Sequence, residues 1–396
     1  MIAMTTNTIL FKTIDELHPA LTAMSDQIFD NPELGNMEFK AHKLVTKFLH
    51  QHGFQIESNL LGLETAFRAT YSVGTGGPRI GLLCEYDALK ELGHACAHHM
   101  QSPAIIGAAL AIKEVMTDRP YTLLIYGTPA EETTSGKIPM AKNGLFDDLD
   151  VALMMHGSDT TTVDGKSLAV NLVDFVFHGK SSHAAIAPEK GISALDAVLL
   201  TFNGIEYLRE HVRDDVRMHG IITDGGKAAN IVPARAAAQF YIRADDRPYL
   251  DTVLERAYNV ARGSALSIGA TLEINEIKAY DNKFNVPSLN KLLLAHAETA
   301  GAEGISPPRE KTGSTDLSCV TYRVPGACLR VKFVPKGTPS HSTEWINTGK
   351  APDAHNAIIV AARALALTGI SLITDSALLT QIKEEFQAAK QRLANP

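Results

Sequence analysis

The sequence predicts an α/β fold with a mainly parallel sheet, into which a smaller α+β, ferredoxin-like unit is inserted. Three observations carry this. Apolar strands alternate with helices over the first 168 residues, the pattern of a parallel sheet covered on both faces. From residue 169 the order becomes β-α-β-β-α-β, that of a split βαβ unit. After Pro287 the helix–strand alternation returns. The expected division is one domain built from 1–168 and 286–396, with 169–285 as the second.

The elements follow in order. Residues 14–29 and 37–53 read as helices, the second with an apolar stripe at Ala41, Leu44, Val45, Phe48 and Leu49 and a stop at Gly53. ETAFRATYSVG and PRIGLLCEYDAL read as strands, and GTGG at 74–77 as a hairpin turn. QSPAIIGAALAIKEVM is a helix, with Ser102 expected as N-cap and Pro103 as its first residue. YTLLIYGTPAEE is a buried strand running into a loop, Ile138 to Gly144 a short helix, and VALMMHG another buried strand.

In the inserted unit, AVNLVDFVFHG is a strand and GISALDAVLLTFNGIEYLREHV an amphipathic helix. RMHGIITDG and ARAAAQFYIRADD are strands, DRPYLDTVLERAYNVARGSA a helix and ATLEINEIKAY the last strand. Beyond it come a helix (SLNKLLLAHAETAG), a polar loop (KTGSTDLSCV), a strand (GACLRVKFV), a Pro/Gly loop (PKGTPSHSTEW) and a long helix (AHNAIIVAARALALTGISLI).

Composition excludes several classes. The net charge of −7 leaves no basic excess for a nucleic-acid partner. The longest apolar run, Ile358 to Ile373, is interrupted by Arg363 and falls short of the roughly 18 residues of a membrane span. The N-terminus lacks the basic and apolar regions of a signal peptide, and four cysteines are too few for a disulfide scaffold, so a cytoplasmic protein is expected. No nucleophile elbow, complete P-loop or dinucleotide fingerprint is present.

The candidate chemistry lies at predicted strand ends, where open α/β sheets bind ligands. Gly93-His94-Ala95-Cys96-Ala97-His98-His99 offers soft sulfur and nitrogen ligands. Glu131 and Glu132 end an apolar strand, where paired carboxylates need a nearby positive charge. One could bind metal while the other acts as a general base. His156 ends the next strand, and His341 sits in the Pro/Gly loop. Taken singly, the Cys/His segment leans toward metal binding, the glutamate pair and His156 read more readily as ordinary helix-start, core or loop residues, and His341 as a loop histidine. Together, Cys96, His98, Glu132, His156 and His341 make five ligands, enough with a bridging water for two metal ions and too many for one tetrahedral zinc.

These motifs, with CEYDAL, HGKSSHAA, ANIVPARAAAQFYIRADD, GSTDLS and PSHST in the same order, resemble the M20 metallopeptidases over nearly the whole chain. The likeness is to the amidohydrolase branch, which includes hippurate, auxin-conjugate and aminobenzoyl-glutamate hydrolases and β-alanyl-dipeptidase relatives. It implies a zinc-exopeptidase-like catalytic domain and an inserted lid and dimerisation domain. It implies two divalent transition-metal ions per subunit (Zn, Mn, Co or Ni) on the five ligands above, with Glu131 as general base and Asp87 orienting a ligand. It further implies that His183 steadies the oxyanion across a homodimer interface, and that Asn230 and Arg243 grip a substrate carboxylate. Gly313, Ser314 and Thr315 would line the substrate. The implied reaction is hydrolysis of the amide of an N-acyl or N-aminoacyl amino acid, a small-molecule substrate. The alternatives are an N-carbamoyl amino acid amidohydrolase and a non-catalytic binding protein that keeps the fold. The chain departs from the family pattern at Ala97, His99 and Lys90. Ala97 replaces a usual glycine and is expected to require a negative φ. His99 could be an extra ligand, a hydrogen-bond partner or neither.

Overall fold

The computed structural model describes residues 2–163, 165, 167–308 and 314–394. They fall into two compact units: Met1–Lys166 with Phe284–Pro396, and Ser167–Lys283.

The first unit holds helices α1 (Ile2–Phe29) and α2 (Phe39–Gln51), then strands β1 (Gln55–Leu60), β2 (Leu63–Val73) and β3 (Arg79–Cys84). Helix α3 (Gln101–Val115), β4 (Tyr121–Gly127), α4 (Lys137–Lys142), β5 (Val151–Ser158) and β6 (Thr162–Val163) follow. The second unit supplies β7 (Ala169–His178), α5 (Ala194–Arg209), β8 (Arg217–Asp224), β9 (Arg235–Ala244), α6 (Arg247–Ile268) and β10 (Thr271–Tyr280). The chain returns to the first unit with α7 (Pro287–Thr299), α8 (Leu317–Thr321), β11 (Gly326–Lys332), α9 (Thr343–Thr348), α10 (Pro352–Thr374) and α11 (Ser376–Ala394).

The large sheet runs β1-β2-β4-β3-β5-β11-β6. Its centre is parallel (β4-β3, β3-β5, β5-β11), and its margins are antiparallel. Strand β4 is buried along its whole length, so both of its edges and both of its faces must be covered. It therefore lies between β2 and β3, and the GTGG segment is a connection past β4 instead of the expected hairpin turn. Alternate residues feed two cores. Leu82, Ile125 and Leu153 join the core containing α1, α3 and α10. Leu83, Leu124, Tyr126 and Met154 join the one formed with Met140, Phe146 and Leu317.

Helix α10 is long and apolar enough to cross a membrane, yet 78% of its apolar window is buried within the protein. It is the central helix of the larger core. Helix α3 begins before Ser102, at Gln101, after a 3-10 turn over His98–Met100. Ser102 is thus a buried residue inside the helix, and Met100 precedes it without a side-chain cap. The expected loops KTGSTDLSCV and PKGTPSHSTEW each contain residues of a short helix, α8 and α9.

The second unit is a four-stranded antiparallel sheet, β10-β7-β9-β8, with α5 and α6 packed into its core. This is the ferredoxin-like arrangement. Asp246 caps α6 by accepting the Tyr249 N–H, Arg247-Pro248 opens the helix, and Gly269 ends it at φ +78°. Phe240 lies in the core with α5 and α6, 4.7 Å from Phe202 and 5.8 Å from Phe175 between ring centres. Gly220 on β8 leaves room for it, since a Cβ there would meet the ring at 2.4 Å. Phe240→Ala is expected to lower the stability of this unit by about 3–5 kcal/mol. Urea unfolding followed by circular dichroism would show it, and a loss under about 1 kcal/mol would mean the ring does not anchor this core.

Candidate active site

The parallel centre of the large sheet sets the site. Strand β3 ends at Cys84 and delivers Glu85 and Asp87, and β4 ends at Gly127 and delivers Glu131 and Glu132. Strand β5 carries His156, and the segment after β11 carries His341. These are the carboxyl ends of parallel strands, where backbone donors and loops converge.

Three overlapping groups of side chains bring ligand atoms within 4.8 Å of one another: Cys96, His98 and His156; Cys96, Glu132 and His341; His98, Glu131 and Glu132. Cys96 Sγ is 3.5 Å from His156 Nε2, and His341 Nε2 is 3.4 Å from Glu132 Oε1. The residues suit metal ions. His98 Nδ1 donates to Asp87 Oδ1 at 3.0 Å, and His98 Nε2 is buried with no hydrogen-bond partner. His156 Nδ1 likewise donates to the Gly157 carbonyl at 2.8 Å, which turns Nε2 toward Cys96. A ring whose Nδ1 is held by an oxygen presents its Nε2 to the donors around it, the orientation of a metal-binding imidazole. Asp87 braces two candidate ligands, because its Oδ2 also accepts the Glu132 backbone N–H at 3.0 Å. It is buried, not an exposed strand-end acid.

The electrostatics separate the two adjacent glutamates. Burial raises the Glu131 carboxyl well above its usual range, reinforced by the charges of Asp316, Glu85 and Glu132. Burial acts the same way on Glu132, but the His341 contact and the His98 charge outweigh it and bring Glu132 to about 2. Burial, together with the charge of Arg330, lowers His156 to about 4, so its imidazole is neutral. Arg330 stands beside His156 across the β11–β5 register.

Residues with positive φ gather here. Ala97 (φ 64°) precedes His98, Ala130 (φ 63°) precedes Glu131, and His341 itself lies at φ 60°. The expected negative φ at Ala97 is therefore overturned. Its methyl fits because Gly157 faces it, and a Cβ at Gly157 would lie 2.7 Å from that of Ala97. His99 turns away from the ligand cluster, donates to the Gly349 carbonyl at 2.8 Å and packs edge-on against Phe29.

The remaining expected site residues are not in the ligand cluster. Ser314 and Thr315 are half-buried just before α8, and Gly313 falls outside the described residues. His183 and Asn230 are exposed in the second unit on adjoining segments, where the Ala184 N–H donates to the Asn230 carbonyl at 3.1 Å. His178 pairs with Glu273 at 3.1 Å, partly exposed. Arg243 is at the far end of β9, stacked on Tyr241. It lies eight residues past Arg235, about 26 Å at strand rise, and Asn230 precedes Arg235. Within one chain Asn230 and Arg243 are not together.

Sequence reasoning missed Glu85, Gln101, Lys137 and Arg330. Glu85 carried a usable signal, an acid directly after the apolar run RIGLLC, as did Glu131 after its own strand.

Sulfur, nitrogen and carboxylate donors converging at the carboxyl ends of a parallel sheet, with a second carboxylate of raised pKa beside them, define the protein as a hydrolase of the metal-binding class. Residues 82–367 match peptidase family M20/M25/M40. The chain is 33% identical to mouse Xaa-Arg dipeptidase, covering 96% of this chain and 91% of that protein. It is 30% identical to one of the chains of the Escherichia coli p-aminobenzoyl-glutamate hydrolase, covering 92% of each. It shares its fold with an aminobenzoyl-glutamate utilization protein from Klebsiella pneumoniae (TM-score 0.72, 20% identity, 90% of this chain and 98% of that one). A dinuclear metal binding peptidase of Bacillus subtilis shares it too (TM-score 0.68, 19% identity, 91% and 99%). The chain belongs to peptidase family M20/M25/M40.

Two substitutions test the strained metal loop. Ala97→Gly is expected to change stability by less than about 1 kcal/mol, since relief of a left-handed alanine offsets loss of a buried methyl. Ala97→Val adds bulk against Gly157 and is expected to cost more than about 2 kcal/mol and to weaken metal binding. Thermal unfolding and metal titration check both, and a Val variant that matches the parent would contradict the assigned backbone.

Proposed function

We propose that this protein hydrolyses the amide bond of an N-acyl or N-aminoacyl amino acid with a free carboxylate, using two divalent transition-metal ions per subunit. One observation carries the reading: Glu131, its pKa raised, stands within 4.8 Å of His98 and Glu132 in a cluster whose trios overlap through shared Cys96 and His98. Cys96, His98, Glu132, His156 and His341 would hold the metals. Divalent ions bound there supply Lewis acidity toward water and a carbonyl. Glu131 takes the proton of the attacking water and returns it to the leaving amine, a role suited to a carboxyl with elevated pKa. Asp87 keeps His98 and the Glu132 backbone in register. The 33% identity to an Xaa-Arg dipeptidase supports an aminoacyl group over a carbamoyl group on the amino-acid nitrogen. The complete ligand set favours catalysis over a binding-only role. Zn, Mn, Co and Ni all suit the mixed donors.

The catalytic unit would be a homodimer, with the inserted domain as lid and dimerisation surface. Strand β8 is an edge of its sheet, with Ile221 and Ile222 exposed, and Tyr207 of α5 is 74% exposed. An unpaired apolar edge of this kind suits pairing with a second copy. The separation of Asn230 from Arg243 supports the same arrangement. One copy cannot present both to one carboxylate, so the two would reach a shared substrate from different copies, with His183 on the copy that supplies the adjoining Asn230. Four cysteines that form no disulfide among the described residues fit a reducing, cytoplasmic setting.

Glu131→Gln is expected to lower kcat by about 10³-fold or more while metal content, measured by elemental analysis, stays at that of the parent. Full turnover in this variant would sink the assigned base. His183→Ala and Arg243→Ala should each be inactive alone. Mixed and allowed to exchange subunits, they should recover about one quarter of parental activity, because half the dimers are mixed and each of those has one intact site. No recovery despite demonstrated exchange would mean that both residues reach a site from the same copy.

A further inference from the structure

Behind the ligand cluster lies a charged group that the proposed reaction does not use. Lys137, the first residue of α4, is fully buried. Its ammonium is 2.5 Å from Glu85 Oε1 and 2.9 Å from Asp316 Oδ1, and both carboxylates are themselves buried. Glu85 is fixed further by Gln101, whose Nε2 donates to Glu85 Oε2 at 2.8 Å and whose Oε1 accepts the Glu85 N–H at 3.0 Å. The same Glu85 Oε2 lies 3.2 Å from His98 Nε2, the nitrogen that faces the metal position. Asp316 Oδ2 is buried without a hydrogen-bond partner.

A buried ion pair contributes little stability beyond what a well-packed apolar side chain would give. What an ammonium adds here is charge. Glu85 is a carboxylate within reach of a ligand nitrogen, and it points at the ligand cluster from the floor. Without a cation of its own it would act as an additional oxygen ligand, compete with Glu132 and displace the arrangement around Glu131.

We propose that Lys137 is a positioning residue whose buried positive charge occupies Glu85 and Asp316, and so keeps Glu85 from competing for the metal position beside His98. The proposal rests on the ligand set and reaction given above. It assigns Lys137 no contact with substrate. Its effect passes through Glu85.

The test compares the parent, Lys137→Met and Lys137→Met/Glu85→Gln, the last of which restores the parental charge balance. Two readouts are taken on the full-length protein: kcat and KM for a dipeptide that the parent hydrolyses, and titration of chelator-treated protein with Co2+ followed by its visible absorption. Lys137→Met is expected to lower kcat by about 100-fold with KM moving less than about threefold, the signature of misplaced groups and not of lost binding. Its Co2+ affinity should be undiminished, with a shifted spectrum that reports the extra oxygen ligand. The double variant should regain kcat by about tenfold over the single and return the spectrum to that of the parent. A single variant with kcat within about threefold of the parent and an unchanged spectrum overturns the proposal, as does a double variant that recovers neither. If the single variant does not fold, the double decides: folded with the parental spectrum it supports the charge role, and unfolded it overturns it. If the parent binds Co2+ but hydrolyses no amide, the reaction assigned above has failed. The spectra still decide the role of Lys137.

Discussion

Five carboxyl groups, those of Glu85, Asp87, Glu131, Glu132 and Asp316, converge where β3 and β4 end, and burying that much negative charge constrains everything around them. Each needs a partner that water would otherwise supply. Asp87 finds His98 and a backbone N–H, Glu85 finds Lys137 and Gln101, and Asp316 shares Lys137. Glu132 faces His341. The candidate ligand groups stand among these carboxylates, a negative setting that suits divalent cations. The parallel centre of the sheet is the precondition, since only parallel neighbours deliver β3, β4 and β5 to the same end.

Much of this was legible in the sequence, and the failures have physical causes. Apolar runs ending in acids or histidines marked Glu131, Glu132 and His156 because a buried strand that terminates in polar chemistry is costly unless that chemistry is used. The strand and helix order of the inserted unit was readable because each amphipathic element carries its own period. Lys137 was not, because it follows TTSG and looks like part of a solvated loop. Its burial arises where the start of α4, which packs against α8, meets Glu85 just after β3 and Asp316 just before α8. β1 and β6 escaped for a related reason: marginal strands are defined by their neighbours more than by their own residues. GTGG misled because a turn signal says that the chain reverses, not that the flanking strands pair. Asn230 and Arg243 were legible as residues but not as places, for adjacency in a motif says nothing about the ends of a strand between them.

The backbone at the site is held in conformations its residues do not prefer. Ala97, Ala130 and His341 all occupy left-handed φ, each at or beside a side chain of the ligand cluster. Such residues persist only when the surroundings over-determine them. At Ala130 the surroundings are visible: its N–H donates to buried Glu38 at 2.8 Å, and its carbonyl accepts from the Ser135 N–H at 2.6 Å. Glu38 in turn accepts from Thr65 Oγ1 at 2.7 Å, which ties the loop that presents Glu131 to β2 and the start of α2. Rigid elements outside the cluster thus bear the strain inside it.

The same logic explains why the site recruits so many segments. A loop that must hold a strained residue and a carboxylate at once cannot be stabilised by its own sequence, so its contacts come from distant parts of the chain. His99 bonds to the carbonyl of Gly349, and the His341 N–H to that of Ala95. Each link removes freedom from a ligand without itself binding anything. The metal-binding chemistry resides in a handful of atoms, but their arrangement is distributed over β3, β4, β5, α3, α4 and the segments after β11. Substitutions remote from the cluster can therefore act on the reaction through geometry while leaving every ligand in the sequence.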